Sequence, residues 1–158
     1  MDVQEQFHDK HFELHQRHLS ELTDETLIIL KTHLLIEELL RDFCVAMVEQ
    51  PKHLLEARLT FKQIMMLARS LVSHNTDWIW GVLGNLNRMR NLMAHAIEPS
   101  QKEYSRCAES IIQLVAPPLA GADVPTLKQA LQYSYGWLSG SFLTIIEFRQ
   151  ERKNSPDE

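Results

Sequence analysis

TDETLIILKTHLLIEELLRDFCVAMVE, residues 23–49, is the stretch that decides the fold. Thr23 supplies an N-cap hydroxyl, and Asp24 and Glu25 fall in the first turn, where the helix dipole favours negative charge. From there Ile28, Leu35, Leu39, Phe43 and Ala46 recur in steps of three, four and seven, the period of a buried helical stripe. Pro51 closes the segment, which is long and apolar enough to be the central helix of a bundle.

Working outward, residues 4–19 form a helix pattern with Phe7, Leu14 and His18 on one side, so polar that it reads as an arm needing a partner surface. Downstream, Thr60 with Gln63 fits a capping box, followed by the apolar face Phe61, Ile64, Leu67, Ala68 and Leu71, with an end expected near Ser73. Thr76 or Asp77 caps the next helix, which turns Trp78, Val82, Leu86, Met89 and Met93 inward until Pro99 forbids continuation much beyond Ile97. Tyr104 to Val115 reads as a helix stopped by Pro117-Pro118, and a loop from Pro118 to Asp123 follows. The final helix is expected from near Pro125 to about Arg149, with Leu131, Tyr135, Leu138, Phe142 and Ile145 as its stripe. With no period-two segment between them, these helices predict an all-α fold, an antiparallel helical bundle with a four-helix core. The organisation expected is an N-terminal helical arm over 1–22, the bundle over 23–150 and a flexible polar tail over 151–158.

Composition agrees. A chain of 158 residues suits one domain, with 44% hydrophobic and 23% charged residues, and only five glycines and six prolines to make turns. Its formal charge of −5 argues against a surface that attracts nucleic acid everywhere, so any RNA contact needs a local patch. One exists: between Trp78 and Ile97 there is no acid, and Arg88, Arg90 and His95 stand in that stretch. Cys44 and Cys107 lack CxxC spacing and read as buried free thiols of a reducing compartment. The polar N-terminus, and an apolar run in the last segment that is too short for a span and bracketed by Lys128, Glu147 and Arg149, predict no membrane association and a cytoplasmic protein.

The same tract carries the one chemically suggestive constellation. Asn87, Asn91 and His95 recur every four residues and Arg88 lies seven before His95, so these side chains share a polar face opposite Met89 and Met93. Arg90 falls between the two faces, and its long stem reaches either. Histidine titrates near neutrality and serves as proton acceptor or donor, while a guanidinium fork neutralises charge on a phosphate. That kit cleaves RNA without a metal, because the attacking group is the RNA's own 2′-hydroxyl. A basic last turn that merely complements the helix dipole accounts for the same residues.

Arg90-Asn91-Leu92-Met93-Ala94-His95, late in a core helix of a small α-helical bundle, resembles the Arg-x4–6-His signature of the HEPN family of ribonucleases and toxins. The resemblance spans about Thr23 to Arg149, and the Asn directly after Arg belongs to it; Thr32 to Leu40 resembles the first core helix of such domains in a generic way. It implies a metal-independent endoribonuclease that works as a homodimer and leaves 2′,3′-cyclic phosphate ends. Arg90, Asn91 and His95 would be the catalytic residues, with Arg88 and Asn87 binding the RNA substrate and no cofactor or metal. It also implies a toxin of a toxin–antitoxin or defence pair, with an antitoxin as partner. The alternative is a non-catalytic bundle of the same family that binds a regulatory protein partner, a reading that suits the acidic balance.

Other features read more plainly. His8, His11, His15 and His18 align on one face of residues 4–19, a solvated or dimer-contact face rather than a metal site, which needs ligands from more than one element. Gly136 and Gly140 suggest a close helix crossing, within the chain or between copies. Trp78 and Trp80 read as core or interface aromatics. No Walker loop, GxGxxG, HExxH or GxSxG pattern occurs.

Overall fold

In the computed structural model, which describes residues 3–72, 76–119 and 123–154, seven helices follow one another: α1 (Val3–Leu19), α2 (Glu25–Met47), α3 (Pro51–Glu56), α4 (Phe61–Leu71), α5 (Asp77–His95), α6 (Gln101–Leu119) and α7 (Leu127–Asn154). No strand occurs among the described residues, so the protein is an all-α helical bundle. Asp24 rather than Thr23 caps α2, its carboxylate accepting the N–H of Leu27 at 2.8 Å. The predicted stripe is buried nearly as read: Ile28, Leu35, Leu39 and Phe43 are in the core and Ala46 packs against it.

α2, α5, α6 and α7 form the four-helix core, each packed on the next around a ring, and α5 packs most extensively on α6. The pairs Gly81 with Leu114, Asn85 with Ser110 and Arg88 with Glu103 show that the short connection 96–100 turns α6 back along α5. α7 closes the ring, passing Lys128 beside the carbonyls of Ser20 and Leu22, Phe142 beside Phe43, and Arg149 beside the Met47 carbonyl. At its centre Phe43 and Phe142 stack at 3.8 Å between ring centroids. α4 leans on α2 and α5, and this packing creates the cleft described below.

Three expectations need correction. Pro117 and Pro118 do not stop α6, which runs on to Leu119. Proline's fixed φ is itself helical, so the pair costs α6 backbone hydrogen bonds and a clash one turn back without excluding helical backbone. The Pro118 carbonyl accepts the Tyr133 hydroxyl at 3.0 Å. Pro51 does more than close α2; it opens the short helix α3 as its first residue. The histidine row of α1 is not uniformly solvated: His8 is exposed, but His11 is fully buried and His15 and His18 are half-buried, because α1 lies along α2 and α7 instead of projecting from the bundle.

Some boundaries move slightly. α4 ends at Leu71, and the end expected near Ser73 lies outside the described residues. α7 starts at Leu127, after Thr126 and Gln129 exchange capping-box bonds, and continues past Arg149 to Asn154. The tail predicted over 151–158 is therefore helical in its first half, and 155–158 lie outside the described residues. Cys44 and Cys107 are buried free thiols; burial pushes Cys44 up to about 12 and Cys107 upward too. No helix among the described residues is long and apolar enough to cross a membrane.

Candidate functional site

α5 carries the tract because its inner side is fixed first. Ile79, Val82, Leu83, Leu86 and Met89 are fully buried, which sets the rotation of the helix and leaves Arg88, Asn91 and His95 on the outward side. The helix stops at His95: Ala96 is extended (φ −139°, ψ 135°), and Pro99 disfavours helical backbone at Glu98. His95 is thus the last helical residue, exposed and without a hydrogen-bond or ionic partner among the described residues.

Asn87, Arg88, Asn91 and His95 line one open cleft of about 570 Å³ between α5 and α4. Four of the five residues singled out from sequence therefore converge. Arg90 does not line this cleft; it is half-buried, and its Nη1 donates to Asn91 Oδ1 at 3.2 Å. It meets the cleft only through its neighbour. Asn87 was expected on a fully outward face, but it turns partly inward, where its Oδ1 accepts from His33 Nε2 of α2 at 3.1 Å. Arg88 stands 3.7 Å from Glu103 of α6, both well exposed, a loose pair of little energetic weight.

Two features were invisible in the sequence. Lys62 and Met65 of α4 form the opposite wall of the cleft, and Lys62 makes no ion pair among the described residues. Gly84, Leu92 and Ala96 complete a lining that is mostly apolar, while its polar groups are Lys62, Arg88, two amides and the His95 imidazole, with no carboxylate among them. Behind the cleft, His33 is buried, stacks on Phe61 at 4.2 Å, and leaves Nδ1 without a partner. Burial holds its ring below the usual histidine range, although the Asn87 bond pulls the other way.

The geometry offers an exposed imidazole, the Arg88 guanidinium in the lining and that of Arg90 one residue from it, two amides and the Lys62 ammonium. Proton transfer at His95 and phosphate neutralisation by cations are the chemistry these groups support. No cluster of three metal-ligating side chains occurs among the described residues, the histidines of α1 included. There His11 is occupied, with Nε2 2.9 Å from Asp42 Oδ2 and Nδ1 3.0 Å from the Tyr135 hydroxyl.

Gly136 and Gly140 face an open groove between α1 and α7, where an added Cβ would meet nothing within 4 Å, so they mark no crossing inside the chain. The close crossing is at Gly81 instead, where an added Cβ would lie 2.9 Å from Leu114 of α6. Trp80 is buried and donates to Thr76 Oγ1 at 3.2 Å, and Trp78 packs edge-on against Trp137, both as core aromatics. Comparison with protein-family models, with curated proteins and with solved structures finds no match for this chain.

Proposed function

We propose that this protein is a cytoplasmic, metal-independent endoribonuclease of HEPN type that acts as a homodimer, the toxin of a toxin–antitoxin or defence pair. The observation that carries the reading is Arg90-Asn91-x3-His95 in the last turns of α5, with Asn91 and His95 opening on the cleft and Arg90 bonded to Asn91. His95 takes the proton of a ribose 2′-hydroxyl, whose oxygen attacks the adjacent phosphorus. The bond to the 5′-oxygen breaks, leaving a 2′,3′-cyclic phosphate on one fragment and a 5′-hydroxyl on the other. Arg90 swings from Asn91 to neutralise the phosphate as its charge builds. One chain supplies one imidazole, so His95 of the partner subunit would protonate the leaving oxygen.

In buffer containing EDTA, the wild type should cleave RNA, and His95→Ala and Arg90→Ala should each lower the rate at least about 100-fold, the first by loss of general acid–base catalysis and the second by loss of charge stabilisation. Mapping of product ends should show cyclic phosphates. Cleavage that survives in both variants, or that disappears with EDTA, removes the reading.

A second reading, a non-catalytic module for a regulatory protein partner, draws on a specific observation: Asn87 and Arg90 already have intramolecular partners in His33 and Asn91. It predicts that diverse RNAs stay intact under the same conditions.

A further inference from the structure

We propose that the α4–α5 cleft seats one unstacked nucleotide of single-stranded RNA, with its phosphate held by Lys62 and Arg88 and its base laid against Met65 and Leu92. This rests on the reading of the protein as RNA-directed, and it adds a second wall, from α4, that no part of the Arg90–His95 tract contains.

The charge is complementary in a protein whose net charge is not. The chain carries −5 overall, yet the polar lining of this cleft is Lys62, Arg88 and His95 with two asparagines, and no acid lines it. Lys62 makes no ion pair among the described residues, and Arg88 is bound only loosely to Glu103 at 3.7 Å, so both cations are available to an incoming phosphate. A polyanion approaching an acidic protein concentrates where such a patch stands.

The apolar part selects the form of the nucleic acid. Met65 from α4 and Leu92 from α5 give the cleft an apolar lining, and Gly84 leaves its far end without a side chain. In an A-form duplex the base faces are stacked and hidden, so a duplex offers this surface only phosphates and riboses. An unpaired base offers a flat apolar face, and a thioether is a soft, polarisable surface for it. The cleft volume, about 570 Å³, lies within the range of small-ligand sites. His95 stands in the same lining, which puts the ribose of a nucleotide seated here beside the only exposed imidazole of α5.

The test uses the full chain carrying His95→Ala, so that binding is read without cleavage, with fluorescein-labelled 12-nucleotide RNA, single-stranded or as a duplex, in an anisotropy titration. Lys62→Glu should weaken the single strand roughly tenfold and flatten the dependence of affinity on salt by about one phosphate contact. Met65→Ala should weaken the single strand but not the duplex. Lys52→Glu, on α3 and outside the cleft, should change affinity less than twofold. Lys62 is exposed and Met65 only half-buried, and thermal melting of each variant checks that the fold is kept.

Single-strand binding that depends on Lys62 and Met65 supports the subsite even if the wild type cleaves no RNA, in which case only the nuclease reading falls. Unaltered binding by both variants overturns the subsite even if the wild type does cleave. Absence of single-strand binding by the His95→Ala protein overturns it as well.

Discussion

His33 shows how one side chain ties the stability of the protein to the geometry of its candidate site. Its Nε2 donates to Asn87 Oδ1, and its Nδ1 is buried with no acceptor, so a second ring proton would be buried with nothing to receive it and would add charge near Arg90. The folded ring therefore titrates below the ordinary histidine value of about 6.5, while the unfolded chain takes up the proton there. The unfolded state then binds more protons as pH falls, so the contribution of His33 is whole above about pH 6.5 and is lost progressively below it. His15, also held down by burial, acts in the same window. Asp42 is depressed as well, but its loss begins only below the carboxylate value of about 3.9. The melting temperature should thus fall between pH 7.5 and pH 5, and His33→Gln should flatten that fall. An unchanged slope in the variant would assign the effect elsewhere. None of this was legible in the sequence: Asn87 and His95 announced themselves by spacing, but nothing in Thr32-His33-Leu34 says that His33 will meet a residue 54 positions away.

The helices themselves were largely legible, because each is written by its own stripe and caps, as in α4, where Thr60 and Gln63 exchange both bonds of the capping box. Where the reading failed, the deciding term was not local. Pro117 and Pro118 carry a local penalty, yet α6 keeps both, and its Pro118 carbonyl is bonded to Tyr133 of α7. Gly136 and Gly140 suggested contact by their size, yet whether a helix crosses them depends on α1, and α1 leaves a groove there. Both are exposed within α7, so Gly136→Ala and Gly140→Ala should each stabilise the protein by about 0.5–1 kcal/mol in urea unfolding, through helix propensity. Destabilisation by either would mean that a second copy packs closely against this face. At Gly81 the gain should be smaller than at Gly136 and Gly140, since an added methyl displaces the end of the Leu114 side chain at the α5–α6 crossing.

At the scale of the whole molecule, α1 is a structural member of the bundle. His11 joins Asp42 of α2 to Tyr135 of α7, Lys10 reaches Glu38 and Asp42 at 2.7 Å each, and Phe7 and Leu19 are buried beside them. The charge on Asp42 is kept by these donors in spite of its burial. Asp42→Ala should cost about 2–3 kcal/mol, because it strands the fully buried imidazole of His11 without its carboxylate. Calorimetry of the variant checks this, and a melting temperature equal to that of the wild type would show that the network is dispensable. The sequence pointed to the need for a partner surface in residues 4–19, and that surface proved to be the chain's own.

That berth also sets an order of events during synthesis. His11 and Tyr135 stand 124 residues apart, so at about 5–20 residues per second the ribosome makes the second roughly 6–25 s after the first. Helix α1 leaves the ribosome with Phe7 and His11 uncovered and waits, through the making of every other helix, for α7 to complete its seat. A chain paused before residue 127 should accordingly show weaker amide protection in α1 than the finished protein, and would display this helix to whatever else can cover it.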